Sequence, residues 1–390
     1  MNELFTDIGY VSMNKWGEQL CGDHVDRVKG EDGSTILVLA DGLGSGVKAN
    51  ILSTLTSKIL STMLAAGLSI EDCVQTVIST LPVCAERGVA YSTFTVIRVS
   101  PEGEAELIQY DNPHVVLLRN GKHVEYLTEQ KSIGEKQLFC AKLRLKPEDV
   151  LISFSDGALH ASSTVELNLK WDRAAITEYM EALYYPAYCA KEFATLLVEQ
   201  CLDLYGGEPA DDTTACAVKF CQRKAASVLF GPPVNHEDDA KVLSLFFSKG
   251  GRHIVCGGTT AGIAARYLHQ TVNVEMETQT EDLPPALHID GVDVTTEGAL
   301  TMARVVDYAV DFAGGNRRYH EWNASKNGAA QIARILFCEA TDIDLFIGRA
   351  SNSAYQKEDA GLSFEEKMNL AATLNTALAA MGKRVRIGYF

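Results

Sequence analysis

An α+β layered domain followed by an α/β domain is the fold class that this 390-residue sequence predicts. Three observations carry that expectation. Strand-like segments joined by short turns dominate roughly the first 220 residues. The helical segments among them are apolar along one stripe, so each can cover one face of a sheet. Beyond residue 224, strand and helix signals alternate regularly, as they do around a largely parallel sheet.

The strand candidates of the first part are 34–40, 92–99, 104–111, 114–120, 149–155 and 213–220. They are rich in Val, Ile, Thr and Phe and are bounded by turn residues. Ser100-Pro101-Glu102-Gly103 joins one pair and Asn112-Pro113 joins the next. Connections this short predict antiparallel neighbours. Helices are expected over 45–66, 70–81 and 188–204. In the first of these, Val47, Ile51, Leu52, Leu55, Ile59, Leu60 and Met63 form the stripe expected to face the core. Polar residues 221–227, a new apolar run and Gly231-Pro232-Pro233 mark a boundary, giving domains at 1–222 and 223–390. In the second domain, strands are expected at 228–232, 253–258, 271–276, 343–350 and 384–390. Helices are expected at 237–250, 260–270, 297–312, 328–340 and 365–382.

The formal charge is −16, and −11 of it lies in the first 224 residues. Nucleic acid and anionic membrane both demand a basic footprint, so neither is an expected partner. No apolar run approaches a membrane span, and the first residues lack the basic-then-apolar pattern of a signal peptide. The ten cysteines include no C-x-x-C pair, which suits buried thiols in a reducing cytoplasm.

Two apolar strands end in the same way, one at Asp41-Gly42 and the other at Asp156-Gly157. A carboxylate there costs little if it faces a wet cleft and much if it is buried alone. Gly22-Asp23-His24 and Asp211-Asp212-Thr213-Thr214 add two more acidic strand ends. Any one of these could be only a turn. Together they make an oxygen-only donor set, which suits hard ions such as Mg²⁺ or Mn²⁺. Two such ions can grip a phosphoryl group and activate water. Thr213 and Thr214 read as ordinary strand formers.

The series Gly22-Asp23, Ala40-Asp41-Gly42-Leu43-Gly44-Ser45-Gly46, Ser155-Asp156-Gly157 and Asp211-Asp212-Thr213-Thr214 resembles the stage II sporulation protein E-like branch of the PP2C-type metal-dependent serine/threonine phosphatases. The resemblance covers about residues 4–220. It implies an αββα sandwich of two antiparallel sheets flanked by helices. It implies two Mn²⁺ or Mg²⁺ ions bridged by Asp41, one of them held by Asp23 and the Gly42 carbonyl and the other by Asp156 and Asp211. Asp212 would then support the site without ligating. A metal-bridged hydroxide would hydrolyse phosphoserine or phosphothreonine on a signalling protein, such as an anti-sigma-factor antagonist.

His24 and His114 titrate in the range of a general acid, but each also fits a satisfied surface or core histidine. Arg27 and Arg119 are candidates for the side chain that would grip the substrate phosphate. In the second domain, Gly257-Gly258-Thr259-Thr260 joins a strand to a helix. Its backbone N–H groups could hold a small anionic ligand, or Thr259 or Thr260 could simply cap the helix. The segment 288–298 is expected to be a loop before a helix, whose Asp, Thr and Glu residues could line a polar site or only cap the helix at Thr295 or Thr296. The second domain itself could be a sensor, a docking platform or a homodimer interface. Two other functions compete: a non-catalytic signalling module, and a metal-dependent esterase for small phosphate esters.

Overall fold

The computed structural model describes residues 4–81, 92–134, 136–161, 171–350 and 364–390, so Cys84 lies outside the described residues. The chain divides into two compact units, one running to Gln222 and the other beginning at Arg223.

The first unit opens with β1 (Leu4–Met13), β2 (Asp23–Lys29) and β3 (Thr35–Gly42). Helices α1 (Gly46–Ala65) and α2 (Ile70–Thr80) follow. Next come β4 (Ser92–Val99), β5 (Glu104–Tyr110), β6 (Val116–Arg119), β7 (Lys122–His123), β8 (Glu129–Ile133), β9 (Lys136–Arg144) and β10 (Val150–Phe154). The unit closes with α3 (Asp156–Leu159), α4 (Arg173–Leu183), α5 (Ala190–Leu204) and β11 (Thr213–Gln222). One antiparallel sheet has the order β2-β3-β4-β5-β9-β8, and the other has the order β1-β11-β10-β6-β7. Leu37, Leu39, Leu107, Leu117, Leu151 and Val218 fill the space between the sheets. The alternate residues Ile36, Val38 and Ala40 meet α1 and α2. Ile152, Phe154, Ala215 and Ala217 meet α4 and α5 on the far side. The result is an αββα sandwich in which each fully buried Leu, Val or Ile contributes about 1.5–3 kcal/mol.

Two expectations for this unit fail, each because of bonds between residues distant in the chain. Strands β5 and β6 are not neighbours, because β5 pairs with β4 and β9 while β6 pairs with β10 and β7. The chain crosses between sheets at Asp111–Val115. Asp111 turns left-handed at φ 54°. The buried Asn112 then accepts from Thr93 Oγ1 at 2.6 Å and donates to Thr95 Oγ1 at 3.3 Å. Gln109 Oε1 takes the Val115 N–H at 2.7 Å. These bonds anchor the crossing in place of a hairpin ladder.

The stripe on α1 is also turned. Val47, Ile51 and Leu55 are 63%, 52% and 43% exposed, while Ala49, Leu52, Ser53, Thr56, Ser57, Leu60 and Ser61 are buried. The helix bonds β2 through hydroxyls and a charge. Ser57 Oγ lies 2.7 Å from His24 Nδ1, Ser61 Oγ donates to Asp26, and Lys58 pairs with Asp26 at 2.6 Å.

The second unit comprises β12 (Ala225–Phe230), α6 (Asp239–Phe247), β13 (Arg252–Cys256), α7 (Gly258–Leu268), β14 (Asn273–Glu275), β15 (Ala286–His288) and β16 (Val294–Thr296). It continues with α8 (Ala299–Ala313), α9 (Tyr319–Asn323), α10 (Gly328–Ala333), β17 (Asp342–Ile347), α11 (Phe364–Ala380) and β18 (Arg384–Tyr389). Its sheet runs β14-β15-β16-β13-β12-β17-β18, parallel from β16 through β18 with an antiparallel flank. Leu229, Val255 and Phe346 pack with α6 and α7. The alternate row Val228, Ile254 and Leu345 is equally buried, so both faces of the sheet are covered. The segment expected to be a capping loop contains β15 and β16, and Gly298 caps α8 in place of Thr295 or Thr296. Gly257 caps α7 in place of Thr259 or Thr260. Among the described residues, no helix is long and apolar enough to cross a membrane.

Candidate metal centre

Strand parity delivers the carboxylates. Leu37, Leu39 and Asp41 alternate along β3 on the face that meets the other sheet, and Val25 and Asp23 do so along β2. The two strands pair in register, so Asp23 stands directly opposite Asp41. From the facing sheet, Asp156 follows β10 and Asp211 precedes β11. The inter-sheet core thus ends at one edge in acid. The Asp41 and Asp156 carboxyl groups are within hydrogen-bonding reach of each other, and Asp23 and Asp211 act on Asp41 electrostatically. The structure therefore brings Asp23, Asp41, Asp156 and Asp211 together.

Glycines permit this approach. A Cβ on Gly42 would lie 2.1 Å from the Ala49 carbonyl oxygen, and one on Gly157 would lie 2.2 Å from the Asp212 carbonyl oxygen. Both obstacles are backbone and cannot swing aside.

The electrostatics of the cluster are unfavourable on their own. Burial, then Asp23, Asp156 and Asp211, push the Asp41 carboxyl well above its ordinary range. Burial also raises Asp23, against the hydroxyls of Ser155 and Thr214 that favour its charged form. Asp211 is raised by burial and then by Asp156. Two carboxylate oxygens, Asp23 Oδ1 and Asp212 Oδ2, are buried with no hydrogen-bond partner among the described residues. Unpartnered buried oxygens among like charges are what a cation would satisfy. The donor set is all oxygen, so the residues present fit a hard divalent ion.

Two residues support the site, Asp212 as the resemblance implies and Ser155, which carries no role in the sequence reading. Ser155 Oγ accepts the Thr214 N–H at 2.9 Å and donates to Asp23 Oδ2 at 2.7 Å. Its signal was parity, because it continues the row Leu151, Ser153 along β10. Asp212 is 3% exposed and accepts the Lys15 N–H at 3.0 Å, which ties the 14–22 loop to the site. Ser155→Ala should weaken Mn²⁺ binding by about ten- to a hundredfold, the usual loss when a ligand-orienting partner goes. Calorimetric titration of Mn²⁺ into the variant checks this, and unchanged affinity would remove Ser155 from the site.

The other candidates lie elsewhere. His24 faces α1 through Ser57, and burial lowers its pKa. His114 packs its ring on Phe139 at 4.9 Å. Arg119 is committed to the buried Asp149, at 2.6 Å for its closest contact. Arg27 lies on β2, four residues beyond Asp23, and acts on Tyr10.

Residues 31–221 match the family model described as Stage II sporulation protein E (SpoIIE). The stage II sporulation protein E of Priestia megaterium is 22% identical over 218 residues, which make up 55% of this chain and 36% of that protein. The chain therefore spans little more than a third of the length of that curated relative. Among solved structures, the phosphatase domain of the cell fate determinant SpoIIE from Bacillus subtilis aligns over 56% of this chain and 94% of its own, at 21% identity and a TM-score of 0.45. The RsbU and RsbW domains of a Mycobacterium tuberculosis protein align over 62% of this chain and 69% of their own, at 16% identity and a TM-score of 0.49.

Proposed function

Because residues 31–221 form a domain of the stage II sporulation protein E family, we propose that the first unit is a divalent-metal-dependent protein serine/threonine phosphatase. The observation that carries this reading is the four-carboxylate edge with its unpartnered buried oxygens. Asp41 would bridge two Mn²⁺ or Mg²⁺ ions, with Asp23 and the Gly42 carbonyl on one and Asp156 and Asp211 on the other. When bound, such ions supply an activated water and offset charge on the transferring phosphoryl oxygens. The chain's own residues have simpler tasks. Ser155 fixes one oxygen of Asp23, and the Lys15 N–H fixes one oxygen of Asp212. Burial and the neighbouring carboxyls favour the protonated form of Asp41 until a cation offsets them.

A phosphoprotein substrate fits better than a small ester. Trp16 and Leu20 before Asp23, and Leu43 and Val47 after Asp41, are exposed at 64%, 43%, 42% and 63%. An apolar rim of that kind suits a protein surface. The family resemblance points to an anti-sigma-factor-antagonist-like protein as that partner. The test is turnover of a phosphoserine peptide and of a generic aryl phosphate, with and without added Mn²⁺. Metal-dependent release of phosphate from the peptide supports the proposal. Turnover of neither substrate would leave the non-catalytic reading in its place, and turnover of the aryl ester alone would favour the small esterase.

A further inference from the structure

The carboxyl edge of the second unit's parallel sheet carries groups that the phosphatase reading does not use. Strand β12 is central: β13 and β16 lie to one side of it, and β17 and β18 lie to the other. In open sheets of this order, ligands bind outside the carboxyl ends of the strands, near the point where the order reverses. Here four strands end in glycine turns, at Gly231 after β12, Gly257 after β13, Gly298 after β16 and Gly348 after β17. The turns lie against one another. The Gly231 N–H donates to the Cys256 carbonyl at 3.2 Å. A Cβ on Gly298 would lie 3.1 Å from Gly257 Cα, and one on Gly348 would lie 2.2 Å from the Gly231 carbonyl oxygen.

Three side chains give this edge a chemistry. Gly257, at φ 119°, caps α7 without any side-chain bond, so among the described residues no capping side chain takes the first-turn N–H groups of that helix. Thr260, only 2% exposed, has an Oγ1 with no hydrogen-bond partner among the described residues. That oxygen lies 3.0 Å from where a Cβ on Gly257 would be, so it points back at the turn. Lys367, on α11, is 8% exposed. Its Nζ donates to the carbonyls of Gly348 at 2.6 Å and Ala350 at 3.2 Å, and among the described residues no carboxylate pairs with it. It would lie 2.6 Å from a Cβ on Gly231. Among the described residues this buried ammonium is held only by carbonyls, and such a group favours an anion beside it. The exposed Glu297 supplies the opposite function, with Oε2 3.2 Å from where a Cβ on Gly258 would be. A carboxylate there disfavours a bare anion but accepts hydrogen bonds from hydroxyl groups.

We propose that this edge binds a phosphate monoester of a ribose-like polyol, with the phosphate at the α7 N-terminus, Thr260 and Lys367 and the sugar hydroxyls on Glu297. This does not depend on the phosphatase reading. The test uses the full chain carrying Asp41→Asn in the presence of a chelator, so that neither binding nor turnover at the carboxylate edge contributes. Ribose 5-phosphate, adenosine monophosphate and inorganic phosphate are titrated by calorimetry. Saturable binding of ribose 5-phosphate, tighter than that of inorganic phosphate, is expected. Tighter binding of the nucleotide than of ribose 5-phosphate would identify a nucleotide as the natural ligand, and equal binding would identify the sugar phosphate. Thr260→Val and Lys367→Met should each weaken binding about tenfold, the worth of one charge-assisted bond. Glu297→Gln, at an exposed position, keeps the fold and should narrow the preference for ribose 5-phosphate over inorganic phosphate. No saturable binding of either ester would overturn the proposal. So would binding that is unchanged both in Thr260→Val and in Glu297→Gln.

Discussion

Asp41→Asn and Asp156→Asn should each lower Mn²⁺-dependent hydrolysis of a phosphoserine peptide by more than about a hundredfold, since even partners that only orient a ligand are worth ten- to a hundredfold. The two residues come from different sheets, one ending β3 and the other following β10. Their carboxyl groups meet within hydrogen-bonding reach. Asparagine keeps the size of the side chain and removes its charge, so the substitution deletes a ligand without opening a cavity. It also relieves the crowding of Asp41 by Asp23, Asp156 and Asp211, so a lost activity cannot be assigned to a lost fold. Arg119→Lys is the matched comparison, because Arg119 serves Asp149 on the far end of β10 and should leave turnover within a few-fold. Steady-state kinetics on the three variants decide the matter. Wild-type rates in both aspartate variants would remove the carboxylate edge as the reaction centre.

The part of this site that sequence revealed is the part that strand chemistry dictates. A Val/Leu/Ala strand that stops at Asp-Gly is visible in one dimension, and it occurs at Asp41 and, with a Ser before it, at Asp156. The register that sets Asp23 against Asp41 is not visible, because β2 mixes Asp26, Arg27 and Lys29 with its two valines and so hides its own periodicity. Strand β8, at Glu129–Ile133, is concealed in the same way by four exposed polar residues. Hydrophobicity marks only part of the buried face of α1: Leu52, Ile59, Leu60 and Met63 meet the core, while Val47, Ile51 and Leu55 do not. The buried face also includes Ser53, Ser57 and Ser61, the last two bonded to His24 and Asp26 some thirty residues away in the chain. The same long-range bonding decides the crossing after β5, where Asn112 is held by Thr93 and Thr95. Local patterns therefore located the carboxylates, and tertiary hydrogen bonds determined what surrounds them.

The metal-free protein should lose stability as pH rises through neutrality, and Mn²⁺ should restore it. Asp41 and Asp23 have carboxyl groups raised above their ordinary value of 3.8, and Asp211 is raised as well. A carboxyl whose pKa is raised by folding keeps a proton that the unfolded chain has already lost. Unfolding then releases protons, so rising pH favours unfolding. The penalty is absent below about pH 4 and grows as pH climbs toward the folded values. Asp26, Asp293 and Asp342 act in the opposite sense, since their folded values are lowered. Their stabilisation is complete once pH exceeds the unfolded value, and that of His24 and His114, whose folded values are also lowered, is complete above about pH 7, so between about pH 7 and 8 the raised carboxyls should slope the curve. Asp41→Asn should flatten that slope in the metal-free protein and raise the melting temperature at pH 8. Wild-type protein with Mn²⁺ at about a hundred times its dissociation constant should gain about 2.7 kcal/mol. For a unit of this size that is a rise of roughly 5–10 °C. Differential scanning calorimetry across pH 7–8, with chelator or Mn²⁺, reads both effects without any substrate. A flat metal-free profile together with no Mn²⁺ shift would mean that the carboxylates are not repelling one another. The case for a cation between them would then fail independently of any measured turnover.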